Sequence, residues 1–257
     1  MNTKKIVRFI LRRRIVKLAE PFRRFLPAKL RIWANVNRAR ELVLVHELKP
    51  QYKKACEFLI ETQGREAIGD YLEFGVCHGT SINCMHEVLN EVQLTNVRLF
   101  GFDSFEGMPK NAESEDEGQW YPGQYRSELE ETTYFLNSKN VDWKRTFLVK
   151  GWFSETLTDD FKKKHNIAKA SIIMIDCDIY SSSKEALNFC LPMIKDKCIL
   201  VFDDWNTGDL AEKNLGERRA FDEFMKENTH LVAEEFGNYH YDGKPNGKVF
   251  VVTNSKA

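Results

Sequence analysis

Four aspartates in two short motifs could share a metal ion or a proton. Asp176 and Asp178 follow one apolar run of strand length, and Asp203 and Asp204 follow a second. The carboxyl ends of neighbouring parallel strands meet at one edge of a sheet, so we expect these carboxylates to converge. Their charges would repel unless a cation balanced them, and an all-oxygen ligand set suits Mg²⁺ or Ca²⁺ rather than zinc. The alternative is that these acids only cap the helices that follow, as Asp178 and Asp204 each could.

Two other motifs also follow predicted strands. Gly75 and Gly79 flank a turn from strand to helix, which lets the backbone approach a ligand and offers it a helix N-terminus. Asp103 ends the next strand, where a carboxylate can accept hydrogen bonds from ribose hydroxyls. The alternatives are a tight structural turn at the glycines and a turn cap at Asp103. The dinucleotide motif G-x-G-x-x-G is absent from the sequence.

The elements that position these residues alternate between strands and helices. We predict strands at 70–75, 97–102, 146–150, 171–175, 198–202, 231–236 and 249–253. We predict helices at 51–62, 80–92, 127–136, 154–164, 182–194 and 209–227. This order indicates an α/β fold, a doubly wound and mostly parallel seven-stranded sheet with right-handed crossovers. No helix separates the last two strands, so they are expected to form a terminal antiparallel hairpin.

Charge divides the chain into a basic arm and an acidic body. Residues 1–40 contain thirteen Lys and Arg and the single acid Glu20, a net charge of +12, so the rest carries −12. We predict a basic helical extension at 1–45 and one catalytic domain at 46–257. The arm could pack on the body or on a second subunit, lie on an anionic membrane, or bind a polyanion. The acidic body argues against a nucleic-acid substrate.

Composition also indicates the compartment. The chain has no apolar stretch of the ~20 residues that a bilayer requires, and no secretory h-region. Its six cysteines are too few for a disulfide scaffold, and several lie inside apolar runs, where a reduced, buried thiol behaves as a small hydrophobe. We therefore expect a cytoplasmic protein, with a peripheral position at the inner face of the membrane as the alternative.

Five motifs in order resemble those of one enzyme family. They are E-F-G-V-x-x-G at 73–79, F-D-S-F-E-G-M-P at 102–109, V-K-G-W-F-x-x-T-L at 149–157, D-x-D-x-Y-x-S at 176–182 and D-D at 203–204. Together they resemble the macrocin O-methyltransferase family over roughly residues 46–253. That family consists of metal-dependent class I enzymes with a Rossmann-like fold that use S-adenosylmethionine.

The resemblance implies a role for each matching position. The methionine end of the cofactor would contact Glu73, Gly75, Gly79 and Ser81. The ribose would contact Asp103, Ser104 and Phe105. The adenine would contact Gly151 and Trp152. Asp176 would also face the cofactor. The Mg²⁺ ligands would be Asp176, Asp203 and Asp204.

The implied reaction moves a methyl group to a hydroxyl, expected to belong to a sugar of a glycosylated natural product or a surface polysaccharide. Asp176 or Asp178 would accept the proton. The irregular stretch 104–126, with the aromatic residues Tyr121 and Tyr125, is predicted to form a lid over this small-molecule or saccharide acceptor. We also expect a homo-oligomer. The alternative function is a nucleotide-binding oxidoreductase on the same kind of sheet.

Overall fold

The computed structural model describes residues 42–241 and 243–256. The predicted basic extension at 1–45 lies almost wholly outside these residues. Its contacts with a membrane or a second subunit therefore remain predictions.

Seven strands form one sheet in the order β3-β2-β1-β4-β5-β7-β6. They are β1 (Asp70–Phe74), β2 (Leu99–Asp103), β3 (Thr146–Lys150), β4 (Ala170–Ile175), β5 (Lys197–Phe202), β6 (Leu231–Tyr241) and β7 (Lys244–Asn254). The first five are parallel, and β7 pairs antiparallel with both β5 and β6. The predicted fold, including the terminal hairpin, is confirmed. Strands β1 and β4 are buried along their whole length, because helices cover both faces.

Seven α-helices lie in the described part of the chain. They are α1 (Val45–Gln63), α2 (Thr80–Glu91), α3 (Leu129–Ser138), α4 (Phe153–Thr156), α5 (Asp159–Lys164), α6 (Tyr180–Cys190) and α7 (Gly216–Glu227). One apolar cluster packs α1, α2 and α3 on one face of the sheet, and a second packs α6 and α7 on the other. Within the described residues, no helix combines the length and the apolar character that a membrane span requires.

Two predicted helices were wrong in extent. The helix predicted over 154–164 is two short helices, because Thr158 interrupts it and its hydroxyl caps α5 by accepting the N–H of Phe161 at 3.1 Å. The helix predicted over 209–227 begins only at Gly216. Asp209 and Asn214 before it adopt left-handed backbone (φ 63° and 53°), which a right-handed helix excludes.

Candidate active site

The predicted site residues lie at or after the carboxyl ends of β1 to β5, and the strand order reverses between β1 and β4 in the middle of this set. The N–H of Asp176 donates to the carbonyl of Phe74 at 2.9 Å, and the N–H of Asp203 donates to that of Ile175 at 3.0 Å. The ends of β1, β4 and β5 are therefore in register. Open α/β sheets bind ligands in the crevice at this reversal point.

The predicted metal ligands are brought together. One carboxylate oxygen each from Asp176, Asp203 and Asp204 lies within 4.8 Å of the other two. Two oxygens bound to one Mg²⁺ or Ca²⁺ at about 2.0–2.6 Å are themselves separated by roughly 4–5 Å at most. The three side chains fit a single hard cation.

The electrostatics of this acid cluster also favour a cation. Burial, and then the charges of Asp203 and Asp204, raise the pKa of Asp176 well above its usual range. Burial and the charge of Asp204 raise the pKa of Asp203 to about 7. Asp178 is buried beside them, and burial, the charge of Asp204 and a hydrogen bond with it raise the pKa of Asp178. A divalent cation would remove the cost of holding these carboxylates ionised.

Two side chains that the sequence analysis missed orient the cluster. The hydroxyl of Tyr239 on β6 donates to Oδ1 of Asp203 at 2.6 Å. The hydroxyl of Thr207 lies 2.8 Å from Oδ1 of Asp204, to which it donates. Such contacts fix the orientation of metal-binding carboxylates. No local pattern indicated Tyr239, because it reaches the site across the terminal hairpin.

Glu217 is a third missed residue and is completely buried. Its Oε2 accepts the N–H of Asp204 at 3.0 Å, and its Oε1 has no hydrogen-bond partner in the described chain. Burial and the nearby aspartates raise the pKa of Glu217 well above its usual range. Because the sequence analysis predicted one long helix from 209, it did not place Glu217 in the first turn of α7.

Glu73, predicted to contact the cofactor, belongs to a buried hydrogen-bonded chain. It accepts the hydroxyls of Tyr71 at 2.5 Å and of Ser81 at 2.7 Å, and the hydroxyl of Tyr71 lies 2.9 Å from that of Tyr52 on α1. Burial raises the pKa of Glu73 to about 8. Ser81 is itself buried, so its hydroxyl holds Glu73 from the first turn of α2.

The glycine turn forms as predicted and brings β1 against β4. Gly75 has a φ of 91°, and a Cβ there would lie 1.7 Å from the carbonyl oxygen of Asp176. Gly79 is left-handed (φ 84°) and immediately precedes α2, whose N-terminus receives no side-chain cap from the described residues. The first N–H groups of a helix attract anionic groups, so this end of α2 fits a ligand carboxylate or phosphate.

Asp103 holds the same turn from the end of β2. Its Oδ2 accepts the N–H groups of Val76 and Cys77, each at 2.8 Å, and its Oδ1 accepts that of Phe105 at 2.6 Å. A carboxylate has about four acceptor positions, so roughly one remains for a ribose hydroxyl. Both interpretations of Asp103, as a turn cap and as a ribose ligand, are thus compatible with its geometry.

The other predicted cofactor positions surround Asp103. The hydroxyl of Ser104 donates to the carbonyl of Gly107 at 3.1 Å, and the N–H of Gly151 donates to the carbonyl of Asp103 at 3.0 Å. Trp152 follows and is half-buried. The ring of Phe105 is packed in the core, which leaves its backbone as the part close to a ligand.

The stretch 104–126, here named the strap, directly follows β2 and contacts the starts of α6 and α7. It contains two short 3₁₀ helices at Lys110–Ser114 and Asp116–Gly118. Tyr121 and Tyr125 are 39% and 40% exposed. Partial burial of Tyr125, followed by the charges of Asp178 and Asp204, raises the pKa of its phenol. Its function as a lid remains a prediction.

A family comparison identifies the chain's relatives. The model of the family described as macrocin-O-methyltransferase matches residues 51–234. The chain belongs to this family. The match extends from α1 into β6 and includes every predicted site residue.

Individual relatives agree with the family assignment. The chain is 27% identical over 156 residues to 8-demethyl-8-(2,3-dimethoxy-alpha-L-rhamnosyl)-tetracenomycin-C 4'-O-methyltransferase of Streptomyces olivaceus. That alignment covers 58% of this chain and 58% of the relative's length.

Solved structures share the fold. The O-methyltransferase NovP superposes with a TM-score of 0.62 at 18% identity, over 79% of this chain and 78% of NovP. An O-methyltransferase from Bacillus cereus, solved in complex with SAH, has a TM-score of 0.56 at 15% identity, over 87% of this chain and 88% of that one.

Proposed function

We propose that the protein transfers the methyl group of S-adenosylmethionine to a hydroxyl of a saccharide acceptor, and that Mg²⁺ or a similar cation is required. The observation that carries this proposal is the convergence of Asp176, Asp203 and Asp204 within 4.8 Å at the strand-order reversal. The glycine turn and the open N-terminus of α2 lie at the same reversal point. Family membership supports the reaction class.

In this proposal the carboxyl ends of the first three strands hold the cofactor. Gly75 and Gly79 let the backbone approach its methionine part, and the N-terminus of α2 favours its carboxylate. Asp103 offers its remaining acceptor position to the ribose, and Gly151 lies beside it. When bound, S-adenosylmethionine supplies an electrophilic methyl group on a sulfonium ion.

The acid cluster would orient and activate the acceptor. Asp176, Asp203 and Asp204 are the proposed Mg²⁺ ligands, and the cation would stabilise negative charge that develops on the acceptor oxygen. Asp178 is buried and does not belong to this ligand set, and in this proposal it accepts the hydroxyl proton. Asp176 is the alternative proton acceptor.

The acceptor class rests on two observations. The Streptomyces olivaceus relative is named for methylation of a rhamnosyl group. In this chain, Tyr121 and Tyr125 on the strap are exposed residues, and the flat faces of aromatic rings suit the apolar faces of a sugar. Self-association, contact with a membrane through the basic arm and a cytoplasmic location remain predictions from the sequence.

A ligand comparison separates this proposal from the oxidoreductase alternative, which the family match does not favour. Thermal shift is measured with S-adenosylhomocysteine and with NAD⁺, each with and without Mg²⁺. We expect S-adenosylhomocysteine to raise the melting temperature and NAD⁺ to leave it unchanged. Stabilisation by NAD⁺ alone would overturn the proposal. Transfer of a labelled methyl group to a panel of rhamnose-bearing nucleotide sugars then tests the acceptor class.

A further inference from the structure

Asp116, in the middle of the strap, contacts two helices at once. Its Oδ2 accepts the N–H of Tyr180 at 2.9 Å, and its Oδ1 accepts the N–H of Gly216 at 2.8 Å. Tyr180 is the first residue of α6, and Gly216 is the first residue of α7. Asp116 is buried, with only 7% of the residue exposed. One carboxylate thus satisfies an N-terminal N–H group of each helix, where a negative charge is also favoured by the helix dipoles.

Those two helices follow the two segments that carry the acid cluster. The helix α6 begins two residues after Asp178. The helix α7 is joined to the other segment through its second residue, Glu217, which accepts the N–H of Asp204 at 3.0 Å. Through the starts of α6 and α7, Asp116 therefore adds a link between the segment of Asp176 and Asp178 and the segment of Asp203 and Asp204.

Neighbouring contacts hold Asp116 in this position. Oε2 of Glu115 accepts the N–H of Ser181 at 3.0 Å, one residue after the start of α6. An apolar cluster beside them consists of Met108, Ala112, Trp120, Ile179 and Leu210.

The backbone at this position is strained. Asp116 and Glu117 both adopt left-handed backbone, with φ of 48° and 59°. Two consecutive residues of this kind persist only where their surroundings fix them. The hydrogen bonds of Asp116 to the two helices supply that constraint.

We propose that Asp116 is a positioning residue that sets the separation of the two carboxylate pairs and thereby the affinity of the acid cluster for a divalent cation. This inference rests on the proposed function, because it requires that the cluster bind Mg²⁺. It also assigns the strap a second role, since the segment predicted to cover the acceptor assembles the metal ligands.

The test compares Asp116→Asn with Glu117→Gln. Asparagine has one acceptor oxygen, so it can serve only one of the two helices. Glu117→Gln is the matched control, because it alters the next residue of the strap, whose ion pair with Lys213 lies outside the acid cluster. Three quantities are measured for the full-length protein: the dissociation constant of Mg²⁺ by calorimetry, that of S-adenosylhomocysteine without metal, and the melting temperature.

We expect Asp116→Asn to weaken Mg²⁺ binding about tenfold or more, because the two carboxylate pairs lose their shared support, with cofactor affinity changed by less than about twofold. The control should change neither by more than about twofold. Unchanged Mg²⁺ affinity in folded Asp116→Asn, even with a lower melting temperature, would overturn the inference and leave a purely structural contact. If this variant does not fold, Asp116→Ser, which keeps a helix-capping oxygen, is subject to the same criterion. Wild-type protein that binds no Mg²⁺ would instead overturn the metal requirement of the proposed function, and this inference with it.

Discussion

The hydroxyl of Tyr239 lies 2.6 Å from Oδ1 of Asp203 and donates a hydrogen bond to it. Tyr239 is on β6, and its partner across the hairpin is Gly247 on β7. A Cβ on Gly247 would lie 2.1 Å from Cζ of the tyrosine, so the absence of a side chain there lets the ring lie over β7. The terminal hairpin therefore orients one of the three proposed metal ligands.

Tyr239→Phe should weaken Mg²⁺ binding by about tenfold while the fold is retained, because the hydrogen bond that orients Asp203 is lost. Calorimetric titration of Mg²⁺ measures this change. Tyr241→Phe is the matched control, since Tyr241 is on the same strand and 44% exposed. Equal affinities in wild type and Tyr239→Phe would show that Asp203 needs no such support.

Gly247→Ala should lower the free energy of unfolding by about 1–3 kcal/mol, because the added methyl group overlaps the ring of Tyr239. The displaced ring should also release Asp203, so Mg²⁺ affinity should fall as it does in Tyr239→Phe. Urea denaturation measures the first effect and calorimetry the second. Wild-type stability in Gly247→Ala would contradict the packing of the tyrosine over this glycine.

The stability of the protein without ligands should depend on the ionisation of Glu73. Burial raises the pKa of this residue from its ordinary value of 4.5 to about 8. Between these values the folded chain keeps a proton that the unfolded chain has lost. The free energy of unfolding therefore falls as the pH rises through this window.

Glu73→Gln should flatten that dependence, because an amide resembles the protonated carboxyl in shape and in having one donor and one acceptor group. Melting temperatures of both proteins from pH 5 to about pH 9 provide the comparison. We expect the wild type to lose more stability than the variant as the pH rises. Parallel curves would show that Glu73 has an ordinary pKa in the folded chain.

Asp103→Asn should weaken the binding of S-adenosylhomocysteine about tenfold or more and lower the melting temperature. The amide nitrogen of asparagine cannot accept, so at least one backbone N–H of the turn loses its charged partner, which costs about 1.5–3 kcal/mol. Asp142→Asn is the control. The side chain of Asp142 likewise accepts the backbone N–H of the residue two positions later, that of Lys144 at 3.0 Å, but Asp142 is exposed. Wild-type cofactor affinity in Asp103→Asn would remove Asp103 from the site.

The sequence predicted the sheet and the convergence of the acids, because both follow from local patterns. Alternation of apolar runs and amphipathic stretches determines a parallel sheet, and that topology places Asp176 beside Asp203 and Asp204. The terminal hairpin was indicated by turn residues with no helix between the last strands. These inferences needed no knowledge of side-chain packing.

The residues that support the acids could not be predicted in the same way. Tyr239 reaches Asp203 from the terminal hairpin, 36 residues away in the sequence. Asp116 reaches the starts of α6 and α7 from the strap, 64 and 100 residues away. No periodic pattern in the sequence indicates contacts between residues that lie so far apart in the chain. Glu217 could have been found, because Asn214 and Gly216 before it are typical of left-handed backbone and mark the true start of α7.

The most direct measurement is anomalous X-ray diffraction from crystals grown with S-adenosylhomocysteine and Mn²⁺, which substitutes for Mg²⁺ and scatters strongly. The proposed function predicts one strong peak bounded by Asp176, Asp203 and Asp204, with the cofactor's ribose next to Asp103 and its sulfur facing the metal. Absence of the metal peak at these three carboxylates, or a cofactor bound away from the glycine turn, would contradict it.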